Sequence, residues 1–339
     1  MRRIFHNTTY DFIRWWRWAA GLTAGFIVLG LASFGLQGGV NYSIEFTGGT
    51  LAQLEFKQAP GDAALRAAFE KAGFAGAEVQ RFGSETEYVV RVQDAASRAS
   101  QDSGAVIIAN RINKAVEDAF GAGNFTVKRT EAVSPKVGSE LSQGAVIAML
   151  LSSLITLMYL AIRFEWRFGV AAVLSTAHDV LVTFAFIKLA HIEVSLTVVA
   201  AILTLLGYSM NDTIIIFDRA RENLNKGRKD SLTALLNRSI NETLPRSILT
   251  HATTLAATIA LLIFAGEVIR PFAWVMTFGV FVATFSSIYV ASPLLLWIET
   301  KFPRPTTAGP KRTSLPPEAL TTQPRPRMSK SPSAANAPR

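Results

Sequence analysis

"TLLGYSMNDTIIIFDRAREN", residues 204–223, decides how this chain is read. The stretch begins as an apolar helix and ends as a charged one, and a carboxylate, Asp212, stands inside the apolar part. Asp212, Tyr208 and Thr204 fall at i, i−4 and i−8, flanked by Asn211 and Thr213, so one face of the helix is polar. An ionisable group near the middle of a bilayer costs roughly 2.5–3.5 kcal/mol on insertion scales. If this helix crosses a membrane, Asp212 must face other helices and have a partner or a task.

The rest of the chain supports a membrane reading. Of 339 residues, 50% are hydrophobic and only 17% charged, with a mean hydropathy of +0.28. A bilayer core about 30 Å thick takes about 20 apolar residues of helix. Six stretches meet that length: 18–37, about 141–162, 168–189, 195–217, 247–267 and 272–299. The first could be read as a cleaved signal. Its apolar run from Ala19 to Leu36 is longer than a signal core, and no small-residue cleavage site follows. Gly21, Gly25 and Gly30 on it offer a small face for close packing.

The cations set the expected orientation. Arg2, Arg3, Arg14 and Arg17 precede the first span, Arg163 and Arg167 lie between the second and third, and Arg219, Arg221, Lys226, Arg228, Lys229 and Arg238 between the fourth and fifth. Lys301, Arg304, Lys311 and Arg312 follow the sixth, whereas the opposite links carry only Lys188 and Arg270. By the positive-inside rule the basic side is the cytoplasm, with both termini on it, 1–17 and 301–339, in a multi-pass membrane protein. The net charge of +9 then reflects topology, and no nucleic-acid partner is expected. The chain has no Cys, which excludes disulfides, a thiolate nucleophile and Cys-based zinc sites, and its four His are scattered at 6, 178, 191 and 251.

A stretch of about 100 residues, 38–138, falls on the outer side. "TLAQLEFK" (50–57) alternates as a strand, "DAALRAAFEKAG" (62–73) is helical, "AEVQRF" (77–82) and "EYVVRVQ" (87–93) form a hairpin, "GAVIIANRINKAVEDAF" (104–120) is helical, and "NFTVKRTEAV" (124–133) is a last strand. That order predicts a ferredoxin-like βαββαβ domain between the first and second of six transmembrane helices. Residues 218–246 form a cytoplasmic link, where Leu232, Leu235, Leu236 and Ile240 predict an interfacial amphipathic helix in contact with membrane lipid. The remaining spans and this link make up 139–300. The Pro-rich end, 301–339, is expected to be disordered.

Three groups of residues are candidates for function. In the fifth span Arg246, Thr250, Thr254 and Thr258 repeat at i+4, so that Arg246 can pair with Asp212 if the two spans lie antiparallel. The third span carries His178 and Asp179. A His-Asp pair suggests a metal phosphohydrolase, but the further ligands are missing, so no metal and no cofactor are expected. These groups serve either as interhelical glue or as proton carriers. The third group is "NYSIEFTGGT" (41–50), between the first span and the outer domain. It lacks the spacing of a phosphate loop. Gly48 and Gly49 predict a sharp or left-handed bend, Tyr42 and Phe46 either anchor the junction at the interface or cap the outer domain, and Glu45 is either structural or couples the outer domain to the spans.

The motifs "EFTGGT", "VSPKVGSEL" (133–141), "AHDV" (177–180), "GYSMNDTIIIFDRARENL" (207–224), "LPRSILTHATTL" (244–255) and "SSIYVASPLLL" (286–296) together resemble the SecF family, the smaller membrane subunits of bacterial SecD–SecF export complexes within the resistance-nodulation-division superfamily. The resemblance covers about 10–300. It implies a non-enzymatic subunit of the bacterial inner membrane, with the 38–138 domain periplasmic, that with SecD uses a proton gradient, or a sodium gradient, to pull preproteins emerging from SecYEG. SecD, SecYEG, YajC and the translocating preprotein are the implied partners, and Asp212 and Arg246 the residues of proton passage. Ser43 and Glu45 depart from the Gly and Asp of the family pattern. A small-molecule exporter of the same superfamily would have about twice the spans and two outer domains. A membrane enzyme would need a nucleophile–base pair or metal ligands. A purely structural assembly subunit is the remaining alternative.

Overall fold

The computed structural model describes residues 8–74, 76–92, 103–226, 231–266 and 268–303. Six of its helical stretches are long and apolar enough to cross a membrane: Ile13–Leu36, Pro135–Arg163, Trp166–Leu189, Leu196–Asn225, Leu232–Phe264 and Arg270–Lys301. In chain order the helices are α1 (Trp16–Gln37), α2 (Ile44–Thr47), α3 (Asp62–Lys71), α4 (Ser103–Phe120), α5 (Pro135–Arg163), α6 (Trp166–Leu189), α7 (Leu196–Asn225), α8 (Leu232–Phe264), α9 (Arg270–Ser286) and α10 (Ser292–Lys301). A π turn, Ser287–Ala291, joins α9 to α10. The starts of three spans are written locally. The side chains of Ser134, Ser195 and Ser231 accept from Val137, Val198 and Ala234 N–H groups, and Pro135 occupies the first turn of α5.

Between α1 and α5 the chain forms strand, helix, strand, strand, helix and strand: β1 (Gly49–Phe56), α3, β2 (Glu78–Arg81), β3 (Glu87–Val92), α4 and β4 (Phe125–Val133). The sheet is antiparallel, in the order β2-β3-β1-β4. Thr50, Ala52 and Leu54 of β1 stand opposite Val92, Val90 and Tyr88 of β3, so the period of two puts one apolar set on one face. Leu65 and Phe69 of α3 and Ile108, Ile112 and Val116 of α4 close over that face, each essentially without exposure.

The helical bundle has two cores. One, at the end nearer the sheet, gathers Val194, Val198, Ile202, Val275 and Val280. The other, at the far end, gathers Phe168, Phe217, Leu236, Ile240 and Ile298. Large apolar side chains cover the outside, among them Leu150, Ile162 and Phe264. Gly30 of α1 lies so close to Ala185 of α6 that an added Cβ would overlap it, while Gly21 and Gly25 have open space beside them.

One expected boundary moves. The helix predicted in 230–244 is not a separate interfacial element but the first half of α8, continuous through Pro245. Leu235, Leu236 and Ile240 are buried in the far core, so its apolar face is already occupied by protein. Its polar face holds the N-terminal segment: Tyr10 N–H donates to Asn241 Oδ1 (3.0 Å), Asn241 Nδ2 to Tyr10 O (2.8 Å) and Asn237 Nδ2 to Asp11 Oδ1 (2.7 Å). The Pro-rich stretch expected to be disordered lies, from 304 onward, outside the described residues.

Candidate functional site

The centre of the bundle is polar, and α7 supplies most of it. Ser209, Asp212 and Thr213 are 2%, 4% and 2% exposed, although the helix around them is apolar. Each bonds to a different neighbouring helix.

Toward α8, Asp212 Oδ1 accepts from Ser247 Oγ. Asp212 Oδ2 is buried and has no partner among the described residues. His251 lies one turn beyond Ser247. Its Nδ1 is 2.6 Å from the Ser247 carbonyl oxygen, and its ring meets Tyr208 edge-on at 5.4 Å. A carbonyl only accepts, so Nδ1 carries the hydrogen and Nε2 is the open nitrogen of the neutral ring.

Toward α6, Asp179 accepts twice on Oδ2, from Ser209 Oγ and from Ser286 Oγ (2.7 Å). His178 Nδ1 lies 3.0 Å from Asp179 Oδ1, within hydrogen-bond reach, and its buried Nε2 has no partner among the described residues. A void of about 10 Å³ borders Asp179, Thr183 and Ser209, enough for at most one water. Toward the π turn, Thr213 Oγ1 and Ser287 Oγ are 3.1 Å apart. Ser286, Ser287 and Ser292 are fully buried around that turn, a widened geometry that often marks function in helices.

The expected ion pair does not form. Arg246 is exposed and makes no ion pair with Asp212, whose partner is Ser247. Thr250 and Thr254 donate to carbonyl oxygens of their own helix, at Arg246 (2.9 Å) and Thr250 (3.0 Å), and Asn211 is exposed. Helical geometry explains the shift. Steps of four residues advance about 40° beyond a full turn, so an i+4 stripe winds off the face on which it began. The line that stays on one face runs through Ser247, His251, Thr254 and Thr258. Of the residues singled out in the sequence, Asp212 and Asp179 are buried in the bundle, and Tyr208 and His178 are half-buried beside them. Ser209, Ser247, His251, Ser286 and Ser287 were missed; lone Ser and His in apolar runs were the available signal.

The junction after α1 is a second polar site, at the sheet end. Ser43 caps the short helix α2 and Glu45 lies in it. Glu45 Oε2 reaches across to accept from Leu196 N–H (2.6 Å), the first residue of α7. Ser43 N–H donates to Val194 O (2.9 Å) and Val194 N–H to Asn41 O (2.7 Å), so this segment pairs with the α6–α7 loop like a strand. Gly48 and Gly49 adopt φ of 71° and 125°. A Cβ on Gly48 would meet Pro135 Cα at 2.8 Å, so the pair turns tightly against the start of α5. Phe46 packs against the near core and stacks edge-on with Tyr42.

Comparison with known proteins agrees with this arrangement. The family model described as "Protein export membrane protein SecD/SecF, C-terminal" matches residues 112–301, and the model of the SecD/SecF GG motif matches 34–60. The protein translocase subunit SecF of Gemmatimonas aurantiaca is 64% identical over 323 residues, which cover 95% of this chain and 97% of the relative. That of Vibrio alginolyticus is 39% identical over 288 residues, covering 85% and 89%. The crystal structure of SecDF, a translocon-associated membrane protein from Thermus thermophilus, superposes with a TM-score of 0.75 at 34% identity; it covers 87% of this chain, which spans only 39% of that longer one. The chain belongs to the SecD/SecF family of protein-export membrane proteins, among its SecF subunits.

Proposed function

We propose that this chain works in the inner membrane beside SecD as a non-enzymatic subunit of the Sec translocase, with SecYEG and YajC as further partners, and that a proton moving through Asp212 drives late translocation of preprotein. In this reading the sheet domain is periplasmic and both termini are cytoplasmic. The observation that carries it is the half-satisfied carboxylate. Asp212 Oδ1 is held by Ser247, while Oδ2 is buried with no partner among the described residues and needs either a proton or a donor. His251, one turn beyond Ser247, and Arg246, next to Ser247 in the chain, are nearby groups able to carry a positive charge. Binding a proton makes Asp212 a donor; releasing it calls a cation to its side. A proton crossing 100 mV releases about 2.3 kcal/mol, enough to repack a few side chains per cycle.

Asp179 has a different standing. Both its oxygens are already engaged, by His178, Ser209 and Ser286, so it fits a fixed anchor for α6, α7 and α9. Ser209 sits one turn from Asp212 and joins the two carboxylates through α7.

The test is proton flux and gradient-stimulated preprotein translocation in vesicles holding the complex with SecD. Asp212→Asn is expected to assemble normally and to lose both activities. Wild-type flux in that variant overturns the reading, and a flux that follows sodium rather than protons replaces the coupling ion but keeps the site.

A further inference from the structure

The α6–α7 loop, residues 190–195, is held from three sides at the sheet end. Arg91 of β3 makes an ion pair with Glu193. The Asn41–Ser43 segment pairs with Val194, and Glu45 accepts from the first N–H of α7. Lys188, 6% exposed at the last turn of α6, donates to Gly38 O (2.9 Å) and Gly39 O (2.8 Å), which ties the end of α1 to the end of α6. A carboxylate suits a helix N-terminus, and a cation suits the carbonyls just past the end of α1, because each meets backbone groups the helix leaves unbonded.

These contacts do not hold the sheet domain as a free appendage. β1 begins at Gly49, separated from α2 by Gly48 alone, and β3 pairs with β1 along its length, so the strap, residues 41–47, is continuous with the sheet. On the other side, the helix they grip is the one that carries Ser209, Asp212 and Thr213. A helix is stiff along its axis, and Asp212 lies 16 residues from Leu196, about 24 Å at 1.5 Å per residue.

We propose that Glu45 and the Arg91–Glu193 pair are positioning residues that transmit motion between α7 and the sheet domain, so that proton passage at Asp212 and the pull on preprotein are one event. This rests on the proposed role of Asp212. The length of the Glu45 side chain is part of the device: it bridges α2 to Leu196, where an Asp would stop one methylene short. The two glycines are then not the moving part between two loose bodies. They let the strap turn into β1 while both remain clamped to α7 and α5.

The experiment is charge reversal in the full complex with SecD in vesicles, with flux and translocation measured separately. Arg91→Glu and Glu193→Arg, each alone, are expected to keep assembly and proton flux but to lower the preprotein moved per proton by roughly twofold to thirtyfold, the range over which mutations between linked sites change their coupling. Combining the two restores the pair with reversed polarity and is expected to restore the ratio. Glu45→Gln, which keeps the shape but removes the charge, is expected to speed hydrogen exchange at the Leu196 amide and to lower the same ratio. An unchanged ratio in the single reversals, or a double variant no better than either, overturns the proposal. Loss of flux together with translocation in the single variants also overturns it, because that is damage rather than uncoupling. If Asp212→Asn retains full flux, the proton reading fails instead; the strap then stands or falls on whether the reversals and their combination change translocation alone.

Discussion

The sheet domain and the helical bundle bury opposite things. In the sheet domain Tyr88, Phe69, Leu54, Leu65 and Ile108 are inside, and charges pair on the surface, as Arg81 does with Asp62 and Lys128 with Glu55. In the bundle Leu150, Ile162 and Phe264 are outside, while Asp179, Asp212, His251 and Lys188 are within. Water rewards the first arrangement, because apolar area removed from it is the main stabilising term. Lipid offers no such reward, since its tails are as apolar as leucine, so helices associate through close packing and polar bonds. The polar bonds inside the bundle are therefore part of what holds its helices together.

The contrast is broken most directly by apolar truncation. Phe69→Ala is expected to destabilise the sheet domain by about 3–5 kcal/mol, and Phe264→Ala on the outside of α8 to change stability by less than about 0.5 kcal/mol. Proteolytic resistance of the full-length protein in detergent on heating measures both, and equal losses would erase the distinction. The converse substitution puts a charge outside. Leu150→Arg is expected to cost about 2.5–3.5 kcal/mol of membrane insertion, read from its insertion efficiency. Gln80→Arg on the exposed edge of β2 should leave stability unchanged. A smaller effect sharpens the polar side. Ser247→Ala removes the only donor to Asp212 among the described residues and should cost about 1–3 kcal/mol of bundle stability. Ser209→Ala should cost less, because Ser286 still donates to Asp179.

The smallest expected effect lies at the strap. Burial pushes the Glu193 carboxyl above its ordinary range, Arg91 opposes this, and Glu45, Glu78 and Glu131 add to it. The folded protein therefore binds this proton at a higher pH than the unfolded chain does. Above that pH Glu193 is ionised and paired with Arg91. As pH falls through it the pair is lost, while the cost of burying the anion is relieved, so the fold gains slightly as the strap loosens. A site-resolved carboxyl titration checks the direction, and Arg91→Gln is expected to raise the midpoint further; a lowered midpoint would contradict this account.

Much of this was legible in sequence because it follows from short-range rules. Six apolar runs of span length gave the six helices, and alternation in "TLAQLEFK" and "EYVVRVQ" gave β1 and β3, since a period of two or a length of 20 is set by local geometry alone. Asp212 stood out because a carboxylate in an apolar run is costly wherever the run goes. The continuity of α8 was not legible. Pro245 and the charges around it read as the end of a link, and only the far core against Leu236 and Ile240, with the N-terminal segment bonded to Asn237 and Asn241, carries the helix through.

The partner of Asp212 shows the same limit in one residue. Arg246 and Ser247 are adjacent in sequence, and charge alone favours Arg246. Which of them faces α7 depends on the rotation of α8, set by packing along its whole length. Glu45 is the clearest case. Sequence gave its charge, its place before two glycines and the bend that follows. That its carboxylate meets the N-terminus of α7, 151 residues away, comes only from the tertiary structure. Composition and periodicity act over a few residues, so they determined the elements and which positions are costly. The pairing of those positions depends on how the elements are rotated and stacked, and that was decided by the close packing of the whole chain.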